Sequence, residues 1–282
     1  MTPKHSLFIL GLIALCALAP VASAQAPFSI AVQLQQATSV LGDGGTLALQ
    51  ADSLSVPVAG TLTISYTGTN PTFLLNAVDL TGATDFSLNG APDLSQGALT
   101  YPRAQKLVLG IRYAPRSSVK AVGKISVAYA IVTPAGTSVG ALNLNLTGVA
   151  PEFTFSYIAQ GGNPIQVAPG GTMTMALTAI DATSNTVVVV TNKGSGPGVI
   201  NGVSGSGSAF SLVGLPLPQT IVDAGKELRF TVAFTPAQLD PSAGTLQIAL
   251  FDKTVAFNLV GEGSGPEWAY ETIQESTISA IL

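Results

Sequence analysis

The side chains that most often carry chemistry are nearly missing from this chain. It has one histidine, His5, and one cysteine, Cys16, both within the first 24 residues. Those residues hold Lys4 and His5, then an uncharged apolar run over residues 7–21, then Ala22-Ser23-Ala24. Positive start, apolar middle and A-x-A site make a cleavable secretory signal peptide. The apolar run falls short of the ~20 residues a membrane span needs, and no span is expected after cleavage. Leu15 is bulky where a lipoprotein signal has a small residue before its cysteine, so Cys16 is not expected to carry a lipid. The mature chain is therefore expected to have neither His nor Cys. It lacks the usual ligands for zinc, copper or an iron-sulfur cluster and any imidazole base for a serine nucleophile, and no cofactor or metal is expected.

Carboxylates could still act. Asp223, Glu227, Asp240 and Asp252 are candidates for a glycoside-cleaving pair, but strand turns carry Asp and Glu for solubility and local bonding, and nothing singles out two of them. Asp79 and Asp85, read as the closest loop grouping, lack the alternate-residue spacing of a calcium loop. The glycine-rich residues 194–207, GSGPGVINGVSGSG, have no Lys-Ser/Thr and no following helix, so they read as inter-strand loops rather than a phosphate cradle. Arg103, Lys106, Arg112, Arg116, Lys120 and Lys124 form the one uneven cluster. Read as lying on two neighbouring strands and their connection, they are a candidate anion-attracting face for an acidic surface polymer, against the plainer reading of a solvent face whose charges discourage edge pairing. Asn145-Leu146-Thr147 matches a glycosylation sequon on an outward strand position, with no reason to expect a sugar there.

These residues must be held by something, and composition says what kind of body holds them. Losing Lys4 leaves 10 basic against 15 acidic residues, a net of −5. With 9% charged residues, such a balance argues against a dedicated nucleic-acid or membrane-surface binder. With 47% hydrophobic residues there is enough for two cores of ordinary domain size, resting on apolar burial alone because no disulfide is available.

The sequence repeats itself. KLVLGIRYAP (residues 106–115) and ELRFTVAFTP (residues 227–236) align at an offset of 121. Leu107, Leu109, Ile111 and Tyr113 answer to Leu228, Phe230, Val232 and Phe234. Alternation with period two puts these on one strand face and Lys106, Arg112, Glu227 and Arg229 on the other. The offset persists from Gly123-Lys124-Ile125 to Gly244-Thr245-Leu246. TDFSLNG answers to SAFSLVG, TLTISYTGTN to TVVVVTNKGSG, and Leu146-Thr147-Gly148 to Leu259-Val260-Gly261. Every strong segment is short, extended and bounded by Gly, Pro, Asn or Asp, with no helical stripe of globular length. Two units of about seven strands each predict tandem immunoglobulin-like antiparallel β-sandwiches without disulfides, over residues 27–149 and 151–263.

Residues 186–263 resemble the immunoglobulin-like repeats called Hydin-type or ASH domains, labelled choice-of-anchor D in secreted bacterial proteins. The resemblance lies in a strand, an Asn-x-Gly turn, Phe-Ser-Leu, an alternating strand closing on Phe-Thr-Pro, and a last strand ending in Gly. It is looser over residues 53–148, where Thr67-Gly68-Thr69 and Tyr-Ala-Pro stand at the corresponding places. The resemblance implies a non-enzymatic interaction or spacer module. Eukaryotic members are associated with cilia and centrosomes, a setting the signal peptide argues against.

Residues 264–282 look like the start of a third unit. GPEWAYETIQ restates the Pro-aromatic openings APFSIAVQLQ and APEFTFSYIAQ, so the chain reads as a fragment of a longer repeat protein, with these residues expected to be either a mobile tail or laid against the second unit. Trp268, Tyr270 and Ile273 are candidates for adding a strand to another sheet. The expectation is a secreted, extracellular or cell-surface protein, periplasmic as a further setting, with a protein or surface polysaccharide as partner and no nucleic acid. The alternative is a carbohydrate-binding accessory module, for which Tyr101 and Trp268 are the aromatics read as lying in loops.

Overall fold

The computed structural model describes residues 27–265, Gln36 apart, and everything structural below concerns those residues. Alternating apolar positions become buried strand faces. Along β8 (Leu107–Tyr113) every second side chain from Leu107 is buried while Val108 and Arg112 face water. Four such positions on one strand, repeated on its neighbours, are what allow two sheets to close on each other.

In the first sandwich, one five-stranded sheet runs in spatial order β2 (Ala37–Leu41), β1 (Phe28–Leu34), β4 (Val58–Tyr66), β8 and β6 (Phe86–Asn89). The facing sheet runs β3 (Thr46–Gln50), β10 (Gly136–Val149), β9 (Ala121–Thr133), β5 (Thr72–Gly82) and β7 (Leu99–Pro102). The second sandwich repeats this order without change. Its first sheet is β12 (Ile165–Val167), β11 (Phe153–Ile158), β15 (Ser184–Asn192), β19 (Glu227–Phe234) and β17 (Phe210–Val213). Its second is β13 (Thr172–Thr174), β21 (Thr254–Gly261), β20 (Ser242–Leu250), β16 (Gly198–Ser206) and β18 (Thr220–Val222). A two-stranded pair, β14 (Thr178–Ala179) with β22 (Gly263–Ser264), closes the far end.

The fold is all-β, with tandem immunoglobulin-like sandwiches, and it departs from expectation in detail. Each sandwich has ten strands in its two sheets, not seven, because short edge strands such as β2 and β12 carry little alternation to read. Within the four five-stranded sheets the ladders are antiparallel except at one edge, where β3 pairs parallel with β10 and β13 parallel with β21, and the short β14–β22 pair is parallel as well. Residues 198–206, expected to be loop, form β16. Asp79, expected in a loop, sits inside β5.

One hydrophobic cluster fills each sandwich. The first is centred on Leu62, Leu109, Ile111 and Tyr113, the second on Val188, Phe234, Leu246 and Phe257. Aromatic contacts take the place of an immunoglobulin tryptophan. The rings of Phe28, Tyr66, Phe73 and Tyr129 pack at centroid distances of 4.6 to 5.3 Å, the separation and tilt such pairs prefer. A glycine sits against the closing aromatic of each core: a Cβ on Gly148 would lie 2.3 Å from the Tyr113 ring and one on Gly261 2.5 Å from Phe234. That contact explains why Leu-Thr-Gly and Leu-Val-Gly end the corresponding strands.

Candidate functional site

The best-built polar constellation lies where the two sandwiches meet. β10 ends at Val149, β11 begins at Phe153, and the link between them is buried at Ala150 and Pro151. A buried link needs partners for its backbone groups, and the loop after β15 supplies them. Asn192, the last residue of β15, is 0% exposed. Its Oδ1 accepts the N–H of Glu152 at 3.2 Å and of Gly194 at 2.9 Å, and its Nδ2 donates to the carbonyls of Gly196 at 2.9 Å and Val222 at 2.8 Å. All four hydrogen-bonding positions of the amide are used.

The residues after Asn192 wrap the link. Lys193 N–H donates to the Glu152 carbonyl at 2.7 Å, and Gly196 N–H to the Ala150 carbonyl at 3.1 Å. Ser195 N–H is shared between the carbonyls of Ala150 and Ser118, both at 3.0 Å, while Ala150 N–H donates to Ser195 Oγ at 3.3 Å. Only glycine lets the loop come this close: a Cβ on Gly194 would stand 2.4 Å from the Ala150 carbonyl oxygen and 2.5 Å from Glu152 N. The Gly-Ser-Gly segment is thus a clamp on the link.

Two hydroxyl-to-carboxylate contacts flank the clamp. Ser118 Oγ, from the β8–β9 loop, donates to the Glu152 carboxylate. Ser55 Oγ, from the β3–β4 loop, donates to Asp252 in the β20–β21 turn. Burial acts to raise the Asp252 pKa, but hydrogen bonds from Ser55 and Ser53 outweigh it and hold the carboxyl below its ordinary value. Beside this contact lies a cleft of about 360 Å³ lined by Leu54, Pro151, Phe153, Phe251 and Asp252 among others.

The basic residues do not form one face. All six are exposed, but β8 and β9 belong to opposite sheets, so Arg112 and Lys124 face away from each other across the sandwich. Arg103 and Lys106 precede β8, whereas Arg116 and Lys120 follow it, a strand length of roughly 20 Å away. Consecutive strands were read as neighbours in one sheet, whereas this chain crosses between sheets at that loop. Arg116 is also engaged, 3.9 Å from Asp85.

The candidate carboxylates are similarly dispersed. Glu227 binds Arg229 at 2.8 Å, and the hydrogen bond from Arg229 holds it below its ordinary value. Asp240 follows the far end of β19, the strand that Glu227 begins. Among the described residues no three His, Cys, Asp or Glu side chains are grouped to hold a metal. Tyr101, expected in a loop, is on β7 and 8% exposed, its ring 5.4 Å from that of Phe73; Thr-Tyr-Pro before a turn hid a short edge strand. Trp268, Tyr270 and Ile273 lie outside the described residues, as do residues 1–24. Sequence reasoning missed Asn192, Ser118, Glu152 and the Ser55–Asp252 pair. The one signal in the sequence, the glycine density after Asn192, pointed to the clamp loop alone.

Neither the protein-family models nor the curated proteins give a match. Among solved structures, the chain is similar to an ASH/PapD-like domain of human CEP192, at 14% identity over 36% of this chain and 84% of that one, TM-score 0.29. It is similar to the C-terminal domain of the Streptococcus agalactiae AgI/II polypeptide BspA, at 8% identity over 84% of this chain and 100% of that one, TM-score 0.35. A third likeness is to the D0-D1 domain of intimin, at 11% identity over 83% and 99% of the two chains, TM-score 0.23.

Proposed function

We propose that this is a secreted or cell-surface protein without catalytic activity, in which two immunoglobulin-like sandwiches of the Hydin/ASH kind, as in choice-of-anchor D proteins, form a stiff spacer that presents an interaction surface to a protein or surface polysaccharide. The observation that supports it most is the junction. A freely jointed pair of domains needs only a polar linker in water, whereas here Asn192 and the Gly194–Gly196 loop take up the link's backbone groups. Investment of this kind in relative orientation is what a spacer uses and a tethered enzyme module does not need. The signal peptide supports an extracellular, cell-surface or periplasmic setting.

Export is tested directly by N-terminal sequencing of the protein from its native host. The reading requires a mature chain beginning at Gln25 outside the cytoplasm; a cytoplasmic protein retaining residues 1–24 overturns it. The carbohydrate-binding alternative loses Tyr101, one of the two aromatics expected in loops, to burial. A glycan array at several salt concentrations separates the cases, because stacking on aromatics survives salt whereas attraction to exposed cations is screened.

A further inference from the structure

The two ends that face along the chain correspond residue by residue. Tyr113 packs on Gly148 in the first sandwich as Phe234 packs on Gly261 in the second, and Pro115 and Pro236 follow them, both buried. In the first sandwich this end is covered, since the link, the Gly194–Gly196 loop and Glu152 all lie on it. In the second, the described chain leaves Gly261 into β22 and is held by Ile180 N–H donating to the Ser264 carbonyl at 2.9 Å. It then reaches Gly265, where a Cβ would meet Leu239 Cδ2 at 3.2 Å and Ile180 Cδ1 at 3.5 Å. Leu239 is 46% exposed and Leu177, just before β14, 67%. At the constant offset of 121, Leu239 stands where the first sandwich has Ser118, the donor to Glu152.

The next residues repeat the segment that covers the first end: Pro266-Glu267-Trp268 restates Pro151-Glu152-Phe153. Where the first end offers a hydroxyl to a carboxylate, the second offers a leucine and an isoleucine, and the aromatic that follows is the larger one. Trp268 is three residues beyond Gly265, a reach of about 10 Å in extended chain.

We propose that this end of the second sandwich is a docking surface for the chain's own residues 266–282, with the Trp268 indole lying over Leu239 and Ile180. The seat is apolar, so it takes an aromatic side chain rather than a sugar or an anion. The inference rests on the end-to-end reading above, but the two fail separately, because Trp268 reports only the far end and not the junction.

Trp268 is the only tryptophan, which makes the test direct. The mature full-length chain is excited where tryptophan alone absorbs, and its emission and acrylamide quenching are followed over a range of protein concentrations. The expected result is a blue-shifted emission protected from acrylamide at every concentration. Leu239→Ser should shift it to the red and raise quenching, while Leu217→Ser, at an exposed site in the β17–β18 loop, should leave it unchanged. Red emission with free quenching in the unaltered protein overturns the proposal, and that result stands even where Leu239→Ser fails to fold. A blue shift that appears only at high concentration assigns the indole to a second copy and overturns it equally.

Discussion

Asn192 is a residue whose side chain can be replaced to ask what the junction is worth. Truncation to Ala leaves two N–H groups and two carbonyls without their partner, and stranded buried groups cost about 1–3 kcal/mol each before water or local shifts relieve them. Asn192→Ala should therefore destabilise by roughly 2–4 kcal/mol in denaturant unfolding; a loss within error would show the amide to be incidental. Tyr113 gives the opposite sign. Its hydroxyl is buried without a hydrogen-bond partner, and desolvation first, with Asp85 nearby, pushes its pKa up. Tyr113→Phe should be neutral or stabilising by up to about 1 kcal/mol in the same assay. Asp252 has a depressed folded pKa, so its contribution to stability is complete above the ordinary carboxylate value and is lost as pH falls through the folded one. Ser55→Ala should move the Asp252 titration up towards the usual range, read by NMR, and flatten that acid dependence.

At the scale of elements, the alternating strands were legible because burial in a sandwich imposes period two on the sequence. Leu107, Leu109, Ile111 and Tyr113 are buried, and so are Phe230, Val232 and Phe234 in the partner strand. Phe234→Ala should cost about 3–5 kcal/mol, the usual range for a buried phenylalanine; an unchanged unfolding midpoint would remove Phe234 from the core. β16 was not legible, because its glycines imitate a loop. The reason they are tolerated is visible in its counterpart: β5 shifts register between Leu75 and Ala77, and β16 shifts between Ile200 and Gly202. An Asn stands between the two residues in each case, and Asn201 Nδ2 donates to the Leu250 carbonyl at 2.9 Å. A bulge of this kind bends a strand and relaxes the demand for side chains. Leu-Asn-Ala-Val against Ile-Asn-Gly-Val was the available signal. The basic cluster was misplaced for a topological reason, since period and composition locate strands but do not say which sheet each one joins. The clamp was invisible because its specificity lies in backbone approach. Gly194→Ala should loosen the junction while leaving both cores folded, seen as faster proteolysis at the link with an unaltered far-ultraviolet spectrum; equal protease resistance would dismiss the clamp.

With one cysteine the chain can form no disulfide within itself, so the two cores rest on apolar burial. The sole cysteine lies in the expected signal peptide, so the melting temperature should not respond to dithiothreitol. What sets the shape is the junction: the loops carrying Ser55 and Ser118 come from the end of the first sandwich where β10 stops, and they meet the end of the second where β11 starts. The sandwiches therefore stand end to end, with little freedom to bend while the Asn192 network is intact. Small-angle scattering from the mature protein tests this most directly. The account predicts an elongated particle whose pair-distance distribution matches the structure as a single conformer and broadens in Asn192→Ala or Gly194→Ala; a profile of one compact globule, or a wide conformational ensemble already present in the unaltered protein, would contradict it.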